Sequence, residues 1–222
     1  MAVRLIIDRA LHSEFPGLAA LIFEINEVHV EKSSDELERF KAEACQRFRS
    51  SYSLETLKDV PALRAYRDFF WRVGIDPTKI RPASEALLRR VLQGKDLPRI
   101  NTLVDSYNIA SMETHVPLAV FDAAKVEGDM AMRMAVGGEK FHGIGMMAEE
   151  TLTGREVVVQ DDRMLIAIYP YRDADFSKVM TETRDVSIMV CGVPGVDLSR
   201  LGEAKKLSAE YITRFCGGNV RA

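Results

Sequence analysis

The stretch Asn101–Gly138, NTLVDSYNIASMETHVPLAVFDAAKVEGDMAMRMAVGG, decides how the chain reads. In its first part Ile100, Leu103, Val104, Tyr107 and Ser111 recur at helical spacing, while Asn101, Asp105, Asn108 and Met112 share a second, mostly polar face. Residues 117–121 and 129–136 then read as strands, the latter alternating Met130, Met132 and Met134 against Ala131, Arg133 and Ala135. Polar groups on such a helix either cap neighbouring backbone or line a pocket, and the residues alone leave Asp105 and Asn108 open between the two. Thioethers at strand spacing read as core filler.

Working outward, residues 3–8 and 18–28 read as strands, and Ser33 with Glu36 has the spacing of a capping box for a helix reaching the polar run Ser50–Ser53. Residues 1–53 are therefore open to reading as an N-terminal appendage. Pro61 suits the first turn of a second helix ending at Gly74, and a third runs from Pro82 to Gln93. Beyond the central stretch, residues 156–160 and 164–169 read as a hairpin. Residues 169–175 form a polar loop, 185–191 a strand, and 198–216 a closing helix stopped by Gly217-Gly218. Strands, then helices, then mostly strands, then a helix is an α+β order rather than a βαβ array.

At 222 residues, with 47% hydrophobic and 28% charged, the chain has material for a core of its own. Three widely separated cysteines, Cys45, Cys191 and Cys216, argue for free thiols and a cytoplasmic setting, and no apolar run approaches the roughly 20 residues of a membrane span. The net charge is −3, yet between Val60 and Ile100 nine basic residues face four acidic ones, which leaves −8 for the rest. That surplus reads either as a solvated face or as a surface for phosphates, with Arg81, Arg89, Arg90 and Lys95 as the candidate RNA contacts.

Neither a G-x-G-x-x-G nor a P-loop motif is present, which speaks against nucleotide loops of those kinds. His12, His29, His115 and His142 make no i, i+4 pair, so no metal or cofactor is expected. No G-x-S-x-G elbow marks a serine nucleophile, and Cys191 with His142 is a weaker reading than a packed thiol.

Val104-Asp105-Ser106-Tyr107-Asn108, then Pro117-Leu118-Ala119-Val120-Phe121-Asp122, then Lys125, Gly128, Arg133-Met134-Ala135 and Gly138-Glu139 together resemble the B3/B4 domain of the phenylalanyl-tRNA synthetase β subunit, over about residues 80–190. The resemblance implies a single B3/B4-type domain over 1–222, a layered α+β fold containing a β-sandwich with flanking helices. It further implies a free-standing protein that binds tRNA or aminoacyl-tRNA and deacylates mischarged tRNA as a trans-acting editing hydrolase. The alternative is a non-catalytic module for a small amino-acid-like ligand. By that likeness Asn108 falls near the hydrolytic site, and Asp173 near the acidic position that recognises a tyrosine hydroxyl. Arg133, Tyr171 and Arg172 join them as candidate substrate contacts, with Asn108, Ser111 and Thr183 as candidates for holding a water. The chain departs from the pattern at Ala119, where the family carries histidine, and at Tyr169–Asp173, where it carries a glycine-rich segment.

Overall fold

A computed structural model describes residues 3–221. The chain opens with β1 (Leu5–Ile7), a short helix α1 (Arg9–Glu14) capped by the Asp8 side chain, and β2 (Ala20–Asn26). Helix α2 (Asp35–Ser51) starts one residue later than the Ser33/Glu36 spacing predicts. Ser34 is the cap, its hydroxyl accepting from the Leu37 amide, and Asp35, Glu36 and Glu38 place negative charge against the positive end of the helix. Helices α3 (Pro61–Arg72), α4 (Ala83–Leu92) and α5 (Thr102–Thr114) follow as their periodicity predicts.

Next come β3 (Leu118–Asp122), β4 (Met130–Met134), the small ribbon of β5 (Lys140–Phe141) with β6 (Glu150–Thr151), and the predicted hairpin of β7 (Val157–Gln160) with β8 (Leu165–Tyr169). The expected polar loop is instead a tight turn into β9 (Arg172–Asp173), which pairs back on β8. The chain closes with β10 (Val186–Cys191), α6 (Leu198–Cys216) and β11 (Asn219–Arg221).

One sheet has the order β1-β4-β7-β8-β9 and the other β11-β2-β10-β3. Strand β10 lies between β2 and β3 with all six residues buried, which is why Val186–Cys191 is apolar on both faces apart from Ser187. Both sheets feed one apolar core, in which Phe23, Ile25, Phe121, Met130, Met132 and Ile188 are all but inaccessible. A second core joins the helices through Leu37, Phe48, Leu63, Leu88, Ile109 and Met112. Each such side chain contributes on the order of 1.5–3 kcal/mol by leaving water.

The first 53 residues are woven into both layers. They supply β1 beside β4, β2 beside β10 and β11, and the α2 face of the helical core. The architecture is the mixed α+β arrangement the element order predicts. Among the described residues, no helix is long and apolar enough to cross a membrane.

Candidate functional site

Where α5, β3, β10 and the β8–β9 turn meet, beside the start of α4, the chain leaves a cavity of about 160 Å³. Helix α5 contributes Tyr107 and Asn108, β3 contributes Leu118 and Ala119, and β10 contributes Met189 and Cys191. The tight turn contributes Tyr169 to Asp173, and Ala83 stands at the helical edge.

Among the described residues, Asp173 is the only carboxyl on this wall. It sits on β9 opposite Ala167, and the Val120 amide donates to its Oδ2 at 3.3 Å. Desolvation outweighs that single bond and pushes the carboxyl up to about 7 from its ordinary 3.8. Burial, followed by the charge of Asp173, also raises the Tyr107 phenol and carries the Cys191 thiol well above its usual range. Cys191 is therefore a protonated, packed thiol at neutral pH, without the cationic neighbourhood that makes a reactive thiolate.

Arg172 is held from three sides. Its Nη1 donates to the Ile144 carbonyl at 2.6 Å, its Nη2 donates to the Tyr171 hydroxyl at 2.8 Å, and the guanidinium lies 4.8 Å from the centre of the Tyr171 ring. Its Nε is buried without a partner among the described residues. The aliphatic part of the side chain passes so close to Gly143 that a Cβ there would meet Arg172 Cδ at 2.3 Å, which accounts for glycine at that position.

The polar face of α5 divides. Asn101 is the N-cap, accepting from the Val104 amide, and its amide also donates to the Val179 carbonyl. Asp105 is buried in an ion pair with Lys41 Nζ at 2.6 Å and accepts from the Ile100 amide. Asn108 alone of the three lines the cavity.

The structure thus brings Asn108, Tyr171, Arg172 and Asp173 together and places the other sequence candidates elsewhere. Ser111 is buried in α5, its hydroxyl unpartnered among the described residues, and is not on the cavity wall. Thr183 donates to Asp122 Oδ2 at 2.8 Å while its oxygen accepts from the Met180 amide, an arrangement that ties a loop to the end of β3. Arg133 is bound through both terminal nitrogens to Glu139 and through Nε to Gln160, on a separate part of the five-stranded sheet. His142 is exposed and bonded to the Met146 carbonyl, and it does not line the cavity with Cys191. His115 ends α5 in a left-handed conformation, bonded through Nε2 to the Tyr52 hydroxyl. Burial lowers it to about 4, so it is neutral at physiological pH.

Of the basic candidates, Arg81 and Arg89 both approach Glu85, Arg90 donates to the Asp96 carbonyl, and Lys95 is exposed. Sequence reasoning passed over Tyr107 and Cys191 as wall residues because each belongs to an apolar pattern. Only their adjacency to Asn108 and to the end of a strand gave a signal.

A B3/4 domain family matches residues 65–219, a span that contains every residue lining the cavity. Among curated proteins, the phenylalanine–tRNA ligase β subunit of Corynebacterium glutamicum is 30% identical over 142 residues, 64% of this chain and 16% of that one. The subunit of the same name from Nocardia farcinica is 31% identical over the same share of each. The chain spans about a sixth of the length of these relatives. Among solved structures, an N-terminal fragment of the phenylalanyl-tRNA synthetase β-subunit from Pyrococcus horikoshii matches with a TM-score of 0.55 and 14% identity. That match covers 99% of this chain and 50% of the fragment, a likeness of fold.

Proposed function

This chain belongs to the B3/4 domain family, and from that membership we propose that it binds aminoacyl-tRNA and hydrolyses the ester of a mischarged one, with the amino acid seated in the cavity beside α5. The observation that carries the reading is the cavity. At about 160 Å³ it offers the room in which an engineered hole of about 150 Å³ takes up benzene, enough for an aromatic side chain. Its lining mixes apolar side chains with a few polar ones, among them the Asn108 carboxamide, the Asp173 carboxyl and Arg172, the pattern of a site that orients a small ligand.

The roles follow from the chemistry of the wall. Asp173, with a pKa of about 7, accepts from a hydroxyl or ammonium group when ionised and donates when protonated. Among the described residues no serine, threonine or histidine lines the cavity, and burial keeps Cys191 a thiol, so the reaction is not routed through an acyl intermediate on those groups. Attack on the ester carbonyl falls to a water that Asn108 orients, and the catalytic gain is one of positioning.

That same wall favours a second reading, a non-catalytic module for a small amino-acid-like ligand. Deacylation measured over a panel of mischarged tRNAs, with Asn108→Ala as control, decides between them. One substrate cleaved faster than in buffer, and slowed in the variant, is the expected outcome. Rates equal to buffer throughout overturn the hydrolase. Thermal stabilisation by free amino acids but not by tRNA then selects the second reading.

A further inference from the structure

Glu85, in the first turn of α4, is wholly buried, and three arginines converge on its Oε1. Arg89 Nε donates at 2.7 Å, Arg67 Nη1 lies at 3.5 Å and Arg81 Nε at 3.9 Å. One carboxylate against three guanidiniums leaves a local charge of +2. Among the described residues Arg67 and Arg81 have no other ion-pair partner, so most of their N–H donors are unspent. Because the Arg67 and Arg89 nitrogens are 3.5 and 2.7 Å from the same oxygen, they are at most 6.2 Å apart. Such a fork-like cluster suits the oxygens of a phosphate.

One helical turn beyond Arg67 on α3 stands Trp71, 53% exposed and the chain's single tryptophan. Asp68, three residues before Trp71 on α3, lines a groove with Arg64 and Arg72, whose guanidiniums flank it one turn to either side, and Asp76 is occupied by Thr78 and Lys79. Unspent guanidiniums beside an exposed indole are the two components with which proteins hold single-stranded nucleic acid, phosphates on the cations and a base on the ring. Ala83, two residues from both Arg81 and Glu85, lines the cavity, so the backbone that carries part of the cluster borders it.

We propose that Arg67, Arg81 and Arg89, pre-positioned by Glu85, form a phosphate site that together with Trp71 holds a single-stranded RNA segment beside the cavity. The proposal rests on the tRNA reading above only in taking that segment to be the 3′ end of a tRNA. Arg90 and Lys95 fall outside the site, Arg90 being bonded to the Asp96 carbonyl.

The test titrates the protein with a non-aminoacylated single-stranded RNA heptamer and reads the emission of Trp71. A saturable change is expected, with log affinity falling against log salt at a slope of about −1.4, or about 0.7 for each of the two phosphates that a net charge of +2 neutralises. Arg81→Gln, at the most exposed of the three, should weaken binding and flatten the slope by about 0.7. Arg90→Gln should change neither. With a labelled RNA read by anisotropy, Trp71→Ala should weaken binding roughly 5- to 150-fold. No emission change, an unchanged slope in Arg81→Gln, or tighter binding of a phosphopeptide than of the RNA overturns the proposal. Since the RNA carries no amino acid, absence of deacylation leaves this result untouched, and deacylation unaffected by Arg81→Gln and Trp71→Ala would sink the site while sparing the hydrolase.

Discussion

Asp173→Asn tests whether the cavity carboxyl is held out of water. The substitution keeps the size of the side chain and an acceptor for the Val120 amide, and removes only the charge. In the wild type, burial raises the carboxyl from 3.8 to about 7. Between those values the unfolded chain is ionised there while the folded chain holds a proton, so folding takes up a proton and stability falls as pH rises. Below pH 4 the group is neutral in both states and costs nothing. Above pH 7 it is charged in both, and the folded state bears the whole desolvation cost. At about 1.4 kcal/mol per unit the difference reaches about 4 kcal/mol, less whatever the half-buried carboxyl regains from water in the cavity. That is a large share of the roughly 5–15 kcal/mol that stabilises most domains. Urea unfolding of both proteins from pH 4 to pH 8.5 measures it. The variant should match the wild type near pH 4, gain on it progressively and level off above pH 7. A stability difference that does not vary with pH, or a variant less stable than the wild type at pH 8, refutes the reasoning.

Two further substitutions probe the frame around the cavity. Lys41→Met leaves Asp105 buried without its cation and should cost about 3–5 kcal/mol in urea unfolding. Much of that loss should return in Lys41→Met with Asp105→Leu, and a single variant as stable as the wild type would show the pair contributes nothing. Gly143→Ala sets a Cβ against the Arg172 side chain and the Phe141 ring and should cost about 1–3 kcal/mol in thermal unfolding, an effect reduced but not abolished in an Arg172→Ala background.

Local patterning carried the fold a long way. Period-two and helical spacings located α2 to α6 and the β7–β8 hairpin, because each of those elements buries a continuous face of its own sequence. It failed where an element is defined by a distant partner. Strand β11 is three exposed residues given order only by β2, and β9 is two residues folded back on β8. The site divides on the same line. Asn101, Asp105 and Asn108 share one helical face and look equivalent in sequence, yet they become a cap, half of an ion pair and a cavity wall. What separates them is Lys41, 64 residues before Asp105, and the turn at Pro170, neither of which helical spacing reports. Arg133 stands out in a strand of small and apolar residues, but Glu139, six residues on, consumes its guanidinium. The positive surplus of residues 60–100 was visible as a count. Its division into a cluster around Glu85 and the outlying Arg90 and Lys95 was not, since it depends on which way two turns of α4 face.

The arginine cluster and the cavity are joined by one turn of chain, Arg81 to Glu85, with Ala83 on the cavity wall between them. A free amino acid carries its carboxylate and its ammonium on one carbon and so spans little length. An aminoacylated RNA end has the matching polarity over the greater length, phosphodiester oxygens toward the guanidiniums and a free ammonium toward Asp173. Ala119 belongs to the same logic. A residue with no functional group stands on the wall where the family pattern carries an imidazole, which leaves room in the cavity and removes a titrating group from it. Among the described residues on the wall, Asp173 is then the group whose raised pKa of about 7 lets it change charge near neutral pH, and under the proposed function discrimination among ligands would rest on what that carboxyl can bond and on how much ring the remaining space admits.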